Sequence, residues 1–86
     1  MMEKIEDLGK SEMKLLLLLY MKNGKEEYIT NLVKALKSPS QLEKSINVLM
    51  RRGLVRVEKR GRRKYVILSE KGKRVAKNLY EIFKIL

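Results

Sequence analysis

The chain has 86 residues and a formal net charge of +11, from 21 lysines and arginines against 10 acids, and it has neither cysteine nor histidine. This composition excludes disulfides, zinc-finger sites, thiol redox sensing and general-base catalysis by imidazole. A chain of this length forms one small domain that buries only about 60% of its unfolded-state surface, so it gains stability from a partner.

The N-terminal part of the sequence predicts an arm and a buried helix. Residues 1–10 are polar and predict an arm or a short helix. Ser11 is the predicted N-cap of a helix over 12–22, which ends at the Asn-Gly pair 23–24. Apolar residues cover almost the whole circumference of this helix, which indicates burial on more than one side.

The central part predicts two further helices. A short extended segment at 28–29 precedes Thr30, the predicted N-cap of a helix over 31–37. The sequence Ser-Pro-Ser-Gln from residue 38 then starts another helix, because Ser38 can cap it and proline fits its first position. This helix, over 39–52, is ended by Gly53.

The C-terminal part predicts a hairpin and a last helix. Residues 54–59 alternate as a strand does, and the apolar run 65–68 is the predicted return strand after a glycine-containing turn over 60–64. Ser69 caps a helix over 70–86. The sequence therefore predicts a mainly α fold with a small β-hairpin, in the order α-α-α-β-β-α, with a short extra strand near 28–29.

Residues 28–79 contain a helix ending in Leu-Met-Arg-Arg-Gly-Leu-Val (49–55), a basic hairpin, and then Tyr-Val-Ile-Leu-Ser-Glu-Lys-Gly (65–72). In this order of elements the segment resembles the winged helix-turn-helix regulators of the MarR-like, ArsR-like and PadR-like groups, of the small archaeal or bacterial type. The resemblance implies a winged-helix DNA-binding domain over 11–69 and double-stranded DNA as the partner.

The helix over 39–52 is the predicted recognition helix. Leu42, Ile46 and Leu49 fall on one stripe, which predicts its buried side. The opposite side carries residue types that pair with base edges or phosphates. The predicted DNA contacts of this helix are Ser40, Gln41, Lys44, Asn47 and Arg51. An ordinary solvated helix face is the alternative interpretation.

The hairpin over 59–64 is the predicted wing. Residues 38–86 carry a net charge of +10, and eight of their cations lie between positions 51 and 64. This high density of cations is explained physically if they neutralise DNA phosphates. The negative potential of a narrow minor groove also favours arginine. The predicted DNA contacts of the wing are Lys59, Arg60, Arg62, Arg63 and Lys64, with Arg62 and Arg63 at its tip. A basic hairpin that serves only solubility is the alternative.

The helix over 70–86 is the predicted dimerisation helix. Its apolar arc spans about 220°, more than the roughly 100° that packing on its own domain requires. The predicted interface residues are Val75, Leu79, Ile82, Phe83 and Leu86. A two-fold dimer predicts a palindromic DNA site. Folding of this helix wholly onto its own domain is the alternative.

Together these features predict a dimeric, sequence-specific DNA-binding transcriptional regulator that represses by occlusion. No catalytic motif, metal site or cofactor is expected, and a small-molecule effector would be one means of control. The longest apolar run, 15–21, is too short to span a membrane, and no signal peptide is evident, so a cytoplasmic, nucleoid-associated protein is expected. The alternatives are an architectural DNA-binding protein of low specificity, a protein-interaction module, or an RNA-binding protein.

Overall fold

A computed structural model of the chain describes residues 8–22 and 25–85. The elements, in chain order, are α1 (Lys10–Tyr20), β1 (Glu26–Tyr28), α2 (Ile29–Leu36), α3 (Pro39–Arg51), β2 (Val55–Arg60), β3 (Arg63–Leu68) and α4 (Glu70–Ile85). This order confirms the predicted mainly α fold with a hairpin and an additional short strand. Most of the predicted arm, residues 1–7, lies outside the described residues.

Helix α1 is the central core helix. Leu15, Leu16 and Leu19 are fully buried, and α1 contacts α3, α4 and the sheet. Burial on several sides explains why its apolar residues cover so much of its surface. The predicted N-cap at Ser11 is wrong. The helix begins at Lys10, two residues earlier than predicted, and its N-cap is Gly9, whose backbone N–H donates to the Glu12 carboxylate at 2.6 Å.

The three strands form an antiparallel sheet in the order β1-β3-β2. Val55 and Val57 of β2 and Val66 and Leu68 of β3 share the face that packs against the helices. Strand side chains alternate between faces, so the neighbouring residues of β2 and β3 lie on the outer face. Strand β2 lies one residue further along the chain than predicted and β3 begins two residues earlier, which reduces the turn to two residues.

The boundary between β1 and α2 differs from the prediction. The strand ends at Tyr28 and α2 begins directly at Ile29, so Thr30 lies inside the first turn and is not the N-cap. No side chain caps this helix; the extended backbone of Tyr28 marks its start. The helix ends at Lys37, which adopts a left-handed conformation (φ 60°) without being glycine.

Helix α3 confirms the sequence prediction at both ends. The Ser38 hydroxyl accepts a hydrogen bond from the Gln41 backbone N–H at 3.3 Å, and Pro39 occupies the first helical position. The last helical residue is Arg51, and Gly53 follows with φ of 71°. A positive φ at this position is the usual reason for glycine after a helix.

Helix α4 lies along α1, where the rings of Tyr20 and Tyr80 are 5.5 Å apart. The Ser69 hydroxyl accepts from the Gly72 backbone N–H at 3.0 Å, which confirms the predicted cap. None of the helices within residues 8–22 and 25–85 is both long enough and apolar enough to cross a membrane.

Candidate nucleic-acid interface

Helix α3 has a buried side and an exposed polar side. Leu42, Ile46 and Leu49 are at most 5% exposed, as predicted, and Ser45 is buried beside them. At 100° per residue, positions 40, 44, 47 and 51 lie on the opposite side of the helix. All five predicted contact residues of this helix are exposed: Ser40, Gln41, Lys44, Asn47 and Arg51. The core therefore fixes which side of α3 faces outward.

The C-terminal end of α3 is fixed to the start of α4. The Ser69 hydroxyl donates to the Gly53 carbonyl at 2.6 Å, and the Lys71 ammonium donates to the Arg52 carbonyl at 3.0 Å. Carbonyls at a helix end have no partner within the helix, and these side chains supply one. The junction holds α3 at a fixed orientation relative to α4.

Gly72 brings the two backbones of this junction into close approach. A Cβ placed at this position would lie 1.9 Å from the Leu54 carbonyl oxygen, so no larger residue fits without movement of the backbone. The same carbonyl accepts from the Ser69 backbone N–H at 3.0 Å. The Ser-Glu-Lys-Gly sequence at 69–72 therefore serves to join the start of α4 to the backbone that follows α3.

A buried polar network supports the N-terminal part of α3. The Ser45 hydroxyl donates to the Glu12 carboxylate at 2.7 Å, and the Gln41 side-chain amide donates to the Ser45 hydroxyl at 3.3 Å. Glu12 is 8% exposed and Ser45 is fully buried. Sequence reasoning missed both residues, because they are 33 positions apart and only the fold brings them together.

The wing is an antiparallel hairpin whose tip is Gly61 and Arg62. Gly61 has φ of 63°, and Arg62 lies at the predicted tip position. Lys59 pairs with Lys64 across the strands. Their side chains lie on the same face of the hairpin as the valines that pack against the helices nearer its base. Arg60 and Arg63 pair on the outer face. The two faces of the wing therefore carry separate pairs of cations.

Arg60 is matched by carboxylates of the protein itself. Its guanidinium donates to both oxygens of Glu26 at 2.8 and 3.0 Å, and it also pairs with Glu58. The hydrogen bonds from Arg60 hold the pKa of the Glu26 carboxyl below its usual range. The two carboxylates raise the pKa of Arg60 further above its already high value. This bidentate pair joins the wing to β1.

Two tyrosines complete the outer face of the sheet. The rings of Tyr28 and Tyr65 are half-buried and 5.7 Å apart, with Arg60 over Tyr65 at 4.7 Å and Arg63 over Tyr28 at 5.2 Å. These are cation–π distances. Both rings pack on the outer face of the sheet rather than in the core between the sheet and the helices.

Four wing cations differ from Arg60 in having no carboxylate partner among the described residues: Lys59, Arg62, Arg63 and Lys64. The guanidinium of Arg63 lies over the Tyr28 ring, whereas the side chains of Lys59, Arg62 and Lys64 are exposed and form no ion pair or hydrogen bond with any residue that the structure describes. The same holds for Lys44 and Arg51 of α3. These five side chains leave positive charge available to an external anion.

The predicted interface residues of α4 divide into two groups. Val75 and Leu79 are half-buried against the core of their own chain. Ile82 is 54% exposed and Phe83 is 48% exposed. Leu86 lies outside the described residues. An apolar surface near the C-terminus of α4 therefore remains uncovered within the described chain.

A cleft of about 430 Å³ opens between α1, α4 and the end of α2. Met13, Leu17, Leu36 and Phe83 line it, together with Lys10. Within residues 8–22 and 25–85 no group of three or more acidic, cysteine or histidine residues is arranged to hold a metal ion.

Comparison with known structures identifies the fold. Over 95% of this chain the structure is similar to the protein AF1382 from Archaeoglobus fulgidus, with a TM-score of 0.79, 27% identity and 94% of that chain covered. It is also similar to MepR, a transcription regulator of the Staphylococcus aureus multidrug efflux pump MepA, with a TM-score of 0.81 and 22% identity over 95% of this chain. No family model matches the sequence, and no curated protein matches it.

A third similar structure is Sco3205, a MarR family transcriptional regulator from Streptomyces coelicolor, in complex with DNA. The TM-score is 0.72, with 27% identity over 78% of this chain. The chain spans 64% of the length of MepR and 44% of that of Sco3205. These similarities confirm the predicted resemblance: the chain has the winged-helix fold of the MarR-type transcriptional regulators.

Proposed function

We propose that this chain is a sequence-specific, double-stranded DNA-binding transcriptional regulator that works as a homodimer and represses by occlusion. The observation that carries the proposal is the exposed polar side of α3, which lies opposite a stripe buried in the core. Both ends of this helix are held by hydrogen bonds from outside it. The DNA complex of the similar regulator Sco3205 supports this assignment.

The proposed role of α3 is to read bases in the major groove. A helix fits this groove, and the N-terminal part of a recognition helix makes most of its base contacts. Ser40, Gln41, Lys44 and Asn47 lie along that part of the exposed side. Asparagine and glutamine pair with adenine and lysine pairs with guanine, while Arg51, nearer the end, is suited to a phosphate.

The proposed role of the wing is to hold the DNA backbone and the adjacent minor groove. Lys59, Arg62 and Lys64 carry charge that no carboxylate of the described residues matches, and they release counterions when they contact phosphates. Arg62 at the tip suits the negative potential of a narrow minor groove. Arg60 contributes less to this role, because Glu26 and Glu58 already bind its guanidinium.

The proposed dimer uses the uncovered end of α4. Ile82 and Phe83 expose large apolar side chains that a second copy of the chain would bury. Val75 and Leu79 contribute less to this interface, since they already pack on their own core. A two-fold dimer presents two α3 helices to half-sites about one helical turn apart.

Selection of bound fragments from a random duplex pool tests these proposals together. We expect enrichment of a palindromic sequence with half-sites about one turn apart, and a preference over random duplex of about a thousandfold or more at fixed salt. Light scattering of the free protein reports whether it is a dimer. Near-equal binding to all duplexes would instead favour an architectural protein, and weak binding to any duplex would favour a protein-interaction module.

Two substitutions in α3 separate base contacts from backbone contacts. Lys44→Ala and Asn47→Ala should each change which sequences the selection enriches, because both side chains are exposed on the proposed reading side. A uniform loss of affinity across all sequences, with the enriched sequence unchanged, would assign these residues to the DNA backbone.

A further inference from the structure

A chain of hydrogen bonds connects the start of α1 to the reading end of α3. The backbone N–H of Gly9 donates to one oxygen of Glu12, the hydroxyl of Ser45 donates to the other, and the amide of Gln41 donates to Ser45. No buried side-chain nitrogen or oxygen in the described part of the chain lacks a hydrogen-bond partner. The two middle members, Glu12 and Ser45, are buried, whereas Gly9 at one end and Gln41 at the other are exposed.

The chemistry of these groups determines the direction of every bond. A backbone N–H only donates, and an ionised carboxylate only accepts. Ser45 must therefore give its single proton to Glu12, which leaves only lone pairs facing Gln41. Gln41 in turn must present an N–H to Ser45 and turn its carbonyl away. The Glu12 carboxylate therefore fixes the orientation of the exposed Gln41 amide.

We propose that Glu12 and Ser45 are positioning residues that orient the Gln41 amide to read an adenine. The inference rests on the proposed function of α3. Adenine recognition needs one carbonyl and one N–H of the amide, and a single bond from Nε2 to Ser45 leaves the carbonyl and a second N–H for the base. An amide held in advance loses less rotamer freedom on binding. Neither Glu12 nor Ser45 needs to contact DNA.

Glu12→Gln tests this proposal with almost no change in size. The Gly9 N–H still requires an oxygen, so the new amide turns its carbonyl to Gly9 and its N–H to Ser45. Ser45 then accepts from that group and donates to the Gln41 carbonyl, which reverses the Gln41 amide. We expect an adenine preference of about tenfold at one position to fall to about twofold or less.

Two comparisons keep the test specific. Glu70→Gln removes the same charge from a side chain that is 88% exposed outside the network, and it should leave the preference unchanged. In a Gln41→Ala background, Glu12→Gln should cause no further change in base preference. Ser45→Ala is a second variant in the network, and it should weaken the same adenine preference. Thermal unfolding shows whether each variant is folded.

The orientation of the amide can also be observed without DNA. In ¹⁵N NMR spectra of the free protein, the Gln41 side-chain amide should show one hydrogen-bonded proton, and Glu12→Gln should abolish that signature while Glu70→Gln retains it. An adenine preference that depends on Gln41 but survives Glu12→Gln and Ser45→Ala would overturn this inference alone. A wild-type protein without any base preference would overturn the proposed function and the inference together.

Discussion

Helix α3 and the wing are held in place by different forces. The inner side of α3 is buried in the core, and its two ends are fixed by Ser38 and by the junction with α4. The outer part of the wing extends beyond the core and is held by strand pairing, an ion pair and ring contacts at its surface. Base reading requires fixed geometry, whereas phosphate contacts depend mainly on charge. The two regions match those two requirements.

Removal of core support should affect α3 most. Leu49→Ala empties a fully buried site beneath the helix, and we expect a loss of about 2–5 kcal/mol in the free energy of unfolding. Denaturant titration measures this change. Arg62→Ala, at the wing tip, is the matched comparison and should change stability by less than about 0.5 kcal/mol. Equal losses in both variants would contradict the difference between the two regions.

Crowding at the junction should have the next largest effect. Gly72→Ala places a methyl group against the Leu54 carbonyl, and we expect destabilisation of about 1–3 kcal/mol because the backbone must shift. Thermal unfolding measures it. Gly61→Ala is a comparison in the wing, where a Cβ meets no atom within 4 Å and only the positive φ opposes it. A smaller loss for Gly72→Ala than for Gly61→Ala would be evidence against a tight junction.

Removal of wing charge should change binding rather than stability. Arg62→Ala combined with Arg63→Ala should weaken binding to all duplexes by about tenfold and lower the salt dependence by up to about one unit for each phosphate that the variant no longer neutralises. Fluorescence anisotropy at several salt concentrations provides both values. Arg74→Ala with Lys77→Ala, two cations of α4, is the charge-matched control. An unchanged slope in the wing variant would remove the wing from the interface.

The smallest expected effect concerns the link between the wing and β1. Because Arg60 lowers the pKa of Glu26 in the folded state, the pair stabilises the fold above the ordinary carboxyl pKa of 4.5, and this contribution is lost as the pH falls through the lower folded value. Glu26→Gln should therefore reduce the acid sensitivity of the unfolding temperature slightly. Glu81→Gln, which lacks this partner, is the control. Identical pH profiles for wild type and Glu26→Gln would show that the pair contributes nothing.

Local sequence signals predicted the elements that depend on local geometry. Ser38, Pro39 and Gly53 marked the ends of α3 because capping and positive φ are properties of a few adjacent residues. The end of α2 at Lys37 carried no such signal, because a lysine adopts the conformation usually given to glycine. Ser11 failed as a cap because a carboxylate at the third helical position served the start of α1 instead.

The candidate site was predictable only where exposure follows from helical periodicity. The outward side of α3 could be derived from its apolar stripe, and all of its predicted contact residues are exposed. The pairing of Arg60 with Glu26 spans 34 positions, and that of Ser45 with Glu12 spans 33. No pattern within one element contains such partners, since only the packed fold brings them together. The sequence therefore could not distinguish Arg60 from the wing cations that have no carboxylate partner within residues 8–22 and 25–85.

The junction at Ser69, Lys71 and Gly72 has a mechanical consequence. Side chains at the start of α4 bind the last carbonyls of the α3 end, and a glycine leaves no gap between the backbones. These contacts oppose hinge motion at this corner of the molecule. Any tilt of α4 would carry α3 with it through a comparable angle, so the separation of two such helices in an assembly would be governed by how the α4 helices cross.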